Sequence, residues 1–189
     1  MKVLFIDACV RDCSRTRTLA EAVLKKLGGD VQKLELYNTD ISHLNGDTLI
    51  FRDKCVKAGN FDVPVLKYAK DFAEADTIVI AAPYWDLSFP AILKDYIEQI
   101  MVTGITFRYS EAGIPIGMCR AGKLIYVSTA GGPVFGRHMG FEYVSALAES
   151  FWGIKETKLI QAENLDIIGA DVEKIMSDAI SDVENNILL

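Results

Sequence analysis

Three arginines and three hydroxyl side chains crowd one short segment near the start of the chain. Residues 8–18 read Ala-Cys-Val-Arg-Asp-Cys-Ser-Arg-Thr-Arg-Thr, between an apolar run and a helical pattern. Ser14 or Thr16 can cap that helix, and the free backbone N–H groups of a first helical turn attract anions. Arginine side chains add charge-assisted hydrogen bonds to phosphate oxygens. The segment therefore predicts a phosphate site, and the alternative is an ordinary helix cap with solvated arginines.

The charge of this segment is opposite to that of the whole chain. The 189 residues carry a formal net charge of −6, whereas Arg11, Arg15 and Arg17 stand against Asp12 alone in the segment, a local charge of +2. The acidic chain argues against a nucleic-acid partner, which requires a basic face. The segment lacks both the G-x-G-x-x-G and the Gly-Lys-Ser/Thr patterns, so the phosphate of a mononucleotide fits it better than a dinucleotide.

An aromatic pair and a glycine pair follow two other apolar runs. Tyr84 and Trp85 come directly after one run, and adjacent aromatic rings form a flat wall that suits a planar heterocycle. The alternative is that both rings cap the core or fill an oligomer interface. Gly131 and Gly132 follow another run. Glycine permits a close backbone approach there, although most such pairs are plain turns.

The spacing of apolar residues indicates how these loops are positioned. Strands are predicted at residues 3–6, 31–36, 77–81, 124–128 and 157–161. Helices are predicted after Ser14, from Pro64, from Pro90, and over residues 141–151 and 171–187. Continuous apolar strands alternating with helices are typical of a doubly wound parallel α/β sheet, of either dinucleotide-binding or flavodoxin order. Ligands bind at the carboxyl ends of such strands, which is where all three loops lie.

A single domain over residues 1–189 is expected from this length and pattern. Residues 37–63 form a long polar excursion, broken by Asn45-Gly46 and without clear periodicity. A segment of that kind is typical of a functional lid or an interface element. Residues 104–122 are a second irregular stretch, because glycine and proline interrupt them.

The cysteines and the hydropathy profile bear on metal, membrane and compartment. Cys9, Cys13, Cys55 and Cys119 form no C-x-x-C pair, and the chain has only two histidines, so no metal site is expected. Reduced thiols are predicted, with a redox-active pair of Cys9 and Cys13 as the alternative. No apolar run approaches the roughly 18 residues of a membrane helix, and no signal-peptide pattern is visible. We therefore expect a cytoplasmic protein without a membrane partner.

At these loops the sequence resembles the flavodoxin-like NAD(P)H:quinone oxidoreductases, and most closely the FMN-dependent NADH azoreductases. The resemblance spans residues 3–151, and its segments occur in the order found in that family. They are Ser14-Arg15-Thr16, Ala82-Pro83-Tyr84-Trp85, Leu93-Lys94-Asp95-Tyr96, Gly104-Ile105-Thr106-Phe107-Arg108-Tyr109 and Thr129-Ala130-Gly131-Gly132. The Gly-x-Thr-Phe-Arg-Tyr run is the most telling, because no periodicity would predict it.

The resemblance implies a five-stranded flavodoxin-like sheet of order 2-1-3-4-5 that binds FMN. It implies that the phosphate lies on Ser14, Arg15 and Thr16. It places the isoalloxazine edge and the pyrimidine end on two further sets: Pro83, Tyr84, Trp85, Asp86 and Leu87, and Thr129, Ala130, Gly131 and Gly132. It further implies a homodimer with sites at the interface. NADH or NADPH would reduce the flavin, which would pass two electrons to a quinone, an azo compound or a nitroaromatic compound in a ping-pong cycle.

Some details depart from the family or stay open. Asp86 stands where the family often has Asn, and Ala130 stands where many members have a larger polar residue, which puts the acceptor range in doubt. His138 and Tyr143 are the candidates for the Tyr/His pair of some quinone reductases, and Trp85 and Phe107 for stacking walls. No catalytic residue is assigned, because the cofactor carries the hydride chemistry. The alternatives are a flavodoxin-type electron carrier without its own NAD(P)H site and a flavin-free scaffold domain.

Overall fold

The computed structural model of the chain describes residues 1–186, in which strands and helices alternate. Seven strands are described: β1 Lys2–Asp7, β2 Asp30–Glu35, β3 Thr77–Ala81, β4 Phe107–Tyr109, β5 Pro115–Gly117, β6 Lys123–Thr129 and β7 Glu156–Ala162. The same residues contain six α-helices: α1 Arg15–Leu27, α2 Gly46–Lys57, α3 Lys67–Glu74, α4 Ala91–Ile100, α5 Met139–Leu147 and α6 Val172–Asn186.

Five of these strands form one parallel sheet in the order β2-β1-β3-β6-β7. Numbered within the sheet alone, this order is 2-1-3-4-5, which is the flavodoxin order. The predicted fold class and strand order are therefore confirmed. All five residues of the central strand β3 are buried, as its uninterrupted apolar run predicts. The edge strand β2 has no buried residue.

Successive residues of each strand point to opposite faces of the sheet, and each face has its own helices. The face that bears Leu4 and Ile6 packs against α3, α4 and α5. The face that bears Val3 and Phe5 packs against α1 and α6. The loops after β1, β3 and β6 leave the sheet at its carboxyl edge and lie next to one another.

Residues 37–63 contain a helix that the sequence pattern does not predict. The side chains of Asn45 and Thr48 form a reciprocal cap at the start of α2. The apolar residues 49–51 are nevertheless exposed, and Cys55 is the buried residue of this helix. A helix with its apolar side chains in solvent has no apolar stripe, so periodicity could not reveal it.

Residues 104–122 are also more regular than expected, because they contain the antiparallel hairpin of β4 and β5. Each strand is three residues long, too short for an alternating pattern. A Cβ atom on Gly117 would lie 2.2 Å from the backbone nitrogen of Gly153, which itself has a φ of 76°. The hairpin therefore packs directly against the turn that follows the helical residues Ala148–Trp152.

The two C-terminal helices agree with their predictions. The pattern over residues 141–151 corresponds to α5 and the π-helical turn that continues it. The pattern over residues 171–187 corresponds to α6, and Ile187 lies outside the described residues. No helix within residues 1–186 is long and apolar enough to cross a membrane.

Candidate functional site

The loops after β1, β3 and β6 enclose a cavity of about 230 Å³ at the carboxyl edge of the sheet. Most of the predicted cofactor residues line it: Ser14, Arg15, Thr16, Pro83, Tyr84, Trp85, Thr129, Ala130 and Gly131. Asp86, Leu87 and Gly132 are not among the residues that line it. The lining also includes residues that sequence reasoning did not assign to a cofactor: Cys9, Val10, Arg11, Cys13, Leu165 and Asp166.

One end of the cavity is the start of helix α1. The Ser14 side chain caps this helix by accepting the Arg17 N–H at 3.3 Å. The N–H groups of Arg15 and Thr16 belong to the first turn, which has no intrahelical acceptors for them. Thr16 is buried, and its hydroxyl oxygen lies 2.6 Å from that of Thr129. Backbone donors, hydroxyls and the positive end of the helix dipole therefore meet here, which is the chemistry of an anion site.

Arg17 does not face the cavity, contrary to the charge argument from the sequence. Its Nε atom donates to Asp7 at 2.5 Å, and its other nitrogens donate to the carbonyls of Cys9, Arg11 and Asp12. The bond to Asp7 raises the pKa of the guanidinium. The Asp7 side chain is fully buried, and a buried carboxylate requires a charged partner. Arg17 thus neutralises Asp7 and fixes the shape of the loop.

Arg15 is also engaged, with residues distant in sequence. Its two terminal nitrogens donate to the Leu165 carbonyl at 2.8 Å and to the Asp166 carboxylate at 2.9 Å. The local charge of +2 is therefore wrong as a description of the site, because Asp7 and Asp166 lie outside the counted segment. Arg11 lines the cavity as well, and its guanidinium forms no ion pair within the described residues.

Tyr84 and Trp85 form one wall of the cavity, as predicted. The Tyr84 hydroxyl donates to the Arg137 carbonyl at 2.9 Å, and its ring meets the His138 ring edge to face, with centroids 5.3 Å apart. Trp85 stays 38% exposed, so a planar ligand has an aromatic surface available.

Asp86 and Leu87 form a tight turn beyond this wall. Their φ angles are 50° and 68°, and reciprocal backbone bonds of 3.2 and 2.7 Å join Trp85 to Ser88 around them. Left-handed backbone is costly for residues other than glycine, and such strain concentrates at functional sites. The turn carries both side chains into solvent, which explains why neither lines the cavity.

Gly131 lies close to another group, as its residue type suggests, but that group is the side chain of Asp166. A Cβ atom at this position would lie 2.3 Å from the Asp166 carboxylate oxygen. A Cβ atom on Gly132 would meet nothing within 4 Å. A methyl group at position 131 would therefore displace the side chain of Asp166, a residue that no local pattern connects to Gly131.

Three further candidates lie away from the cavity lining. His138 is buried and caps α5, where its Nδ1 atom accepts the Phe141 N–H at 3.2 Å. Burial lowers the pKa of His138. Tyr143 packs on Phe89, outside the lining. Phe107 is buried between Tyr109 and Phe151 and is not among the residues that line the cavity.

The two cysteines of the first loop both line the cavity. Cys9 is buried, its Sγ atom lies 3.7 Å from the Ala81 carbonyl, and burial raises its pKa to about 12. A thiol with such a pKa stays neutral and is a poor nucleophile. Cys13 is exposed. Among residues 1–186 no group of His, Cys, Asp or Glu side chains could hold a metal ion.

Leu165 and Asp166 could have been found by the rule that located the other loops. They follow β7, so they too lie at the carboxyl edge of the sheet. Residues 157–161 have the weakest apolar pattern of the five predicted strands, so the sequence alone does not point to the loop that follows them.

Comparison with known proteins agrees with this geometry. Residues 1–187 match a family described as having a flavodoxin-like fold. The chain is 40% identical over 191 residues to the FMN-dependent NADH:quinone oxidoreductase 2 of Clostridium acetobutylicum, covering 95% of this chain and 94% of the relative. It is 38% identical over 198 residues to the FMN-dependent NADH:quinone oxidoreductase of Coprothermobacter proteolyticus, covering 97% and 96%.

A solved structure extends the comparison to the fold. The azoreductase from Bacillus anthracis str. Sterne superposes with a TM-score of 0.82 at 26% identity, covering 97% of this chain and 96% of that one. The match covers nearly the whole length of each chain, so it includes the sheet and the loops at its carboxyl edge. The chain therefore belongs to the flavodoxin-like family that contains these quinone oxidoreductases.

Proposed function

We propose that the chain is an FMN-dependent NADH:quinone oxidoreductase that also reduces azo compounds. The observation that carries this proposal is the three-loop cavity, with an anion site at one end and an aromatic wall beside it. FMN has a terminal phosphate and a planar ring system, so its two parts fit these two features. The names of the relatives point to the same activity.

The residues fit FMN in a definite way. The phosphate would lie at the start of α1, on the first-turn N–H groups and the hydroxyls of Ser14 and Thr16, with Arg11 at the rim. The ring system would lie between the wall of residues 83–85 and the backbone of residues 129–131. Asp86, Leu87 and Gly132 remain predicted contacts at the margin of this site.

When bound, FMN supplies the hydride chemistry. The part of this chain is to bind the cofactor, to present one ring face and to hold the donor and the acceptor over it in turn. Cys9 is not suited to acid–base catalysis, because its pKa is raised to about 12. We propose NADH as the donor and quinones, azo compounds and nitroaromatic compounds as acceptors, in the cytoplasm.

We also propose a homodimer in which the partner completes the acceptor pocket. Large apolar side chains near the aromatic wall are exposed, including Leu87 at 43%, Phe135 at 81% and Met139 at 51%. A contiguous exposed apolar patch marks an interaction site, and we infer that these side chains form one. Sedimentation velocity of the purified protein tests its oligomeric state. A monomer at micromolar concentration would contradict the proposed homodimer.

The function is tested by titrating the purified protein with FMN and then mixing the complex with NADH in a stopped-flow instrument. We expect stoichiometric binding, rapid bleaching of the oxidised flavin and recovery of the absorbance on addition of a quinone. Binding without bleaching by NADH or NADPH would favour an electron carrier. Failure to bind FMN would favour a flavin-free domain.

A further inference from the structure

The loop after β7 lies along one side of the cavity and is bonded to the loops after β1 and β6. We refer to residues 164–166 as the strap. Its backbone N–H groups bond to the loop after β6: Leu165 to the Ala130 carbonyl at 3.2 Å, and Asp166 to the Gly131 carbonyl at 2.8 Å. Leu165 and Asp166 both line the cavity. The strap is therefore the part of the wall that lies between the loop after β1 and the loop after β6.

One side chain connects the strap to residues 8–18, which we call the phosphate loop. Arg15 donates to the Leu165 carbonyl at 2.8 Å and to the Asp166 carboxylate at 2.9 Å. Within the described residues no other side chain of the phosphate loop bonds to the strap. Beyond it the chain is open to solvent, since Ile167 is 49% and Ile168 101% exposed. Within the strap Leu165 is 3% exposed and packs in the core, so the ion pair with Arg15 acts on the exposed Asp166 end of the strap.

We propose that the ion pair of Arg15 and Asp166 holds the strap closed against the phosphate loop and thereby slows the release of FMN. The inference rests on the proposed function, because it assigns the strap a part in that same site. Arg15 and Asp166 are positioning residues in this account, since they act on the cofactor through the wall that they join. Loss of the ion pair loosens the wall at Asp166, keeps the Arg15 bond to the Leu165 carbonyl and leaves the helix start intact.

The proposed role of Asp166 and a simple charge effect predict opposite changes in the FMN dissociation rate. Asp166 is a carboxylate at the cavity wall, so its charge alone repels a phosphate. If Asp166 acted only through its charge, its removal would make FMN bind more tightly and leave more slowly. If it holds the strap, its removal makes FMN leave faster despite the lost repulsion.

The experiment measures the dissociation rate of FMN after dilution, followed by flavin fluorescence, for the wild type and Asp166→Ala. We expect dissociation about fivefold faster in Asp166→Ala, the factor that corresponds to about 1 kcal/mol for one charged contact. Asp166→Asn keeps an oxygen that accepts from Arg15, so its rate should fall between the two. A rate that is unchanged or slower in Asp166→Ala overturns the proposal.

Two comparisons separate the strap from general loss of stability. Asp178→Ala breaks an exposed ion pair of similar kind, that of Lys174 and Asp178 at 2.8 Å on α6, and should leave the rate unchanged. Arg15→Gln should accelerate dissociation, and Arg15→Gln combined with Asp166→Ala should be no faster than Arg15→Gln, because that change already removes the contact that Asp166→Ala removes. Additive effects would mean that Arg15 acts on the phosphate directly and would overturn the strap.

Hydrogen exchange of the FMN-free protein gives a readout that needs no cofactor. The amides of Leu165 and Asp166 should exchange faster in Asp166→Ala than in the wild type, and unchanged exchange counts against the strap. If the wild type binds no FMN, the proposed function and the role in release fail together. If FMN binds and its dissociation rate is the same in Asp166→Ala as in the wild type, the role of the strap fails and the proposed function stands.

Discussion

The hydroxyl oxygens of Thr16 and Thr129 lie 2.6 Å apart, and this hydrogen bond joins two loops separated by more than a hundred residues. Thr16 is the second residue of α1, and Thr129 ends β6, the fourth strand of the main sheet. The bond closes the floor of the cavity between the phosphate loop and the glycine pair. Thr16 is buried. If one of the two hydroxyls is removed, water therefore cannot easily take its place as the hydrogen-bond partner of the other.

Replacing Thr16 with Val should therefore weaken both the fold and the cofactor site. The change keeps the shape of the side chain and leaves the Thr129 hydroxyl without its partner, so we expect a loss of about 1 kcal/mol in the free energy of unfolding. FMN should bind several-fold more weakly, as measured by fluorescence titration. Urea denaturation of the FMN-free protein measures the stability.

Thr157→Val is the matched control for this prediction. Thr157 and Ser145 form the same kind of hydroxyl pair at 2.7 Å, between β7 and α5 and away from the cavity. This variant should lose similar stability and keep wild-type FMN affinity. Equal losses of affinity in the two variants would show that the Thr16 bond has no particular part in the site.

The fold follows from the sequence largely because buried parallel strands leave a strong signal. Residues 77–81 are all apolar apart from Thr77 and are all buried. Elements that pack by their ends or their edges leave no such pattern. Helix α2 has its apolar side chains in solvent, and the strands of the hairpin are too short to alternate.

The site is predictable to the extent that it is local. Ser14, Thr16 and Tyr84 are found from their own loops, because helix caps and aromatic pairs are properties of neighbouring residues. The roles of Arg15 and Arg17 depend on Asp166 and Asp7, and only the folded chain brings these pairs together. A charge count over one segment cannot see a partner that tertiary structure supplies.

Replacing Arg17 with Met should destabilise the protein strongly. The change leaves the buried Asp7 carboxylate without its ion pair, and the unpaired charge should cost about 3 kcal/mol in the free energy of unfolding. Arg11→Met is the control, since Arg11 forms no ion pair within the described residues and its loss should leave stability near that of the wild type. Urea denaturation at pH 7 measures both, and comparable stability of the two variants would contradict the assigned role of Arg17.

His138 should make the protein less stable in mild acid. Burial lowers its pKa from the ordinary value of 6.5, and this outweighs Glu163 and Glu142, which raise it. The neutral ring is the form that caps α5, because its Nδ1 atom accepts a hydrogen bond. The unfolded chain takes up the proton first as the pH falls below about 6.5, so the stabilising contribution is present above that value. It is lost between that value and the lowered pKa of the folded protein.

The variant His138→Asn isolates this effect. Its side-chain oxygen can accept the Phe141 N–H at every pH, since Asn is a good N-cap that does not titrate. The free energy of unfolding of the wild type should therefore fall more steeply between pH 7 and pH 5 than that of His138→Asn. His138→Ala should lose about 1 kcal/mol at pH 7 through the missing cap. Parallel pH profiles of the wild type and the Asn variant would rule out His138 as the source.

Gly131 and Gly132 should respond differently to the same small substitution. A Cβ atom on Gly131 would lie 2.3 Å from the Asp166 carboxylate, whereas one on Gly132 would meet nothing within 4 Å. Neither glycine has a positive φ, so the backbone conformation suits alanine at both positions. Gly131→Ala should push the Asp166 side chain off Arg15 at a cost of about 1 kcal/mol.

The consequence for the cofactor follows from the strap. Gly131→Ala should increase the FMN dissociation rate as Asp166→Ala does, while Gly132→Ala should keep a wild-type rate, both followed by flavin fluorescence after dilution. In the background of Asp166→Ala, the added methyl group at position 131 no longer meets the carboxylate and should have little further effect. If Gly131→Ala still accelerated release in that background, the methyl group would be acting on the cofactor itself and not through Asp166.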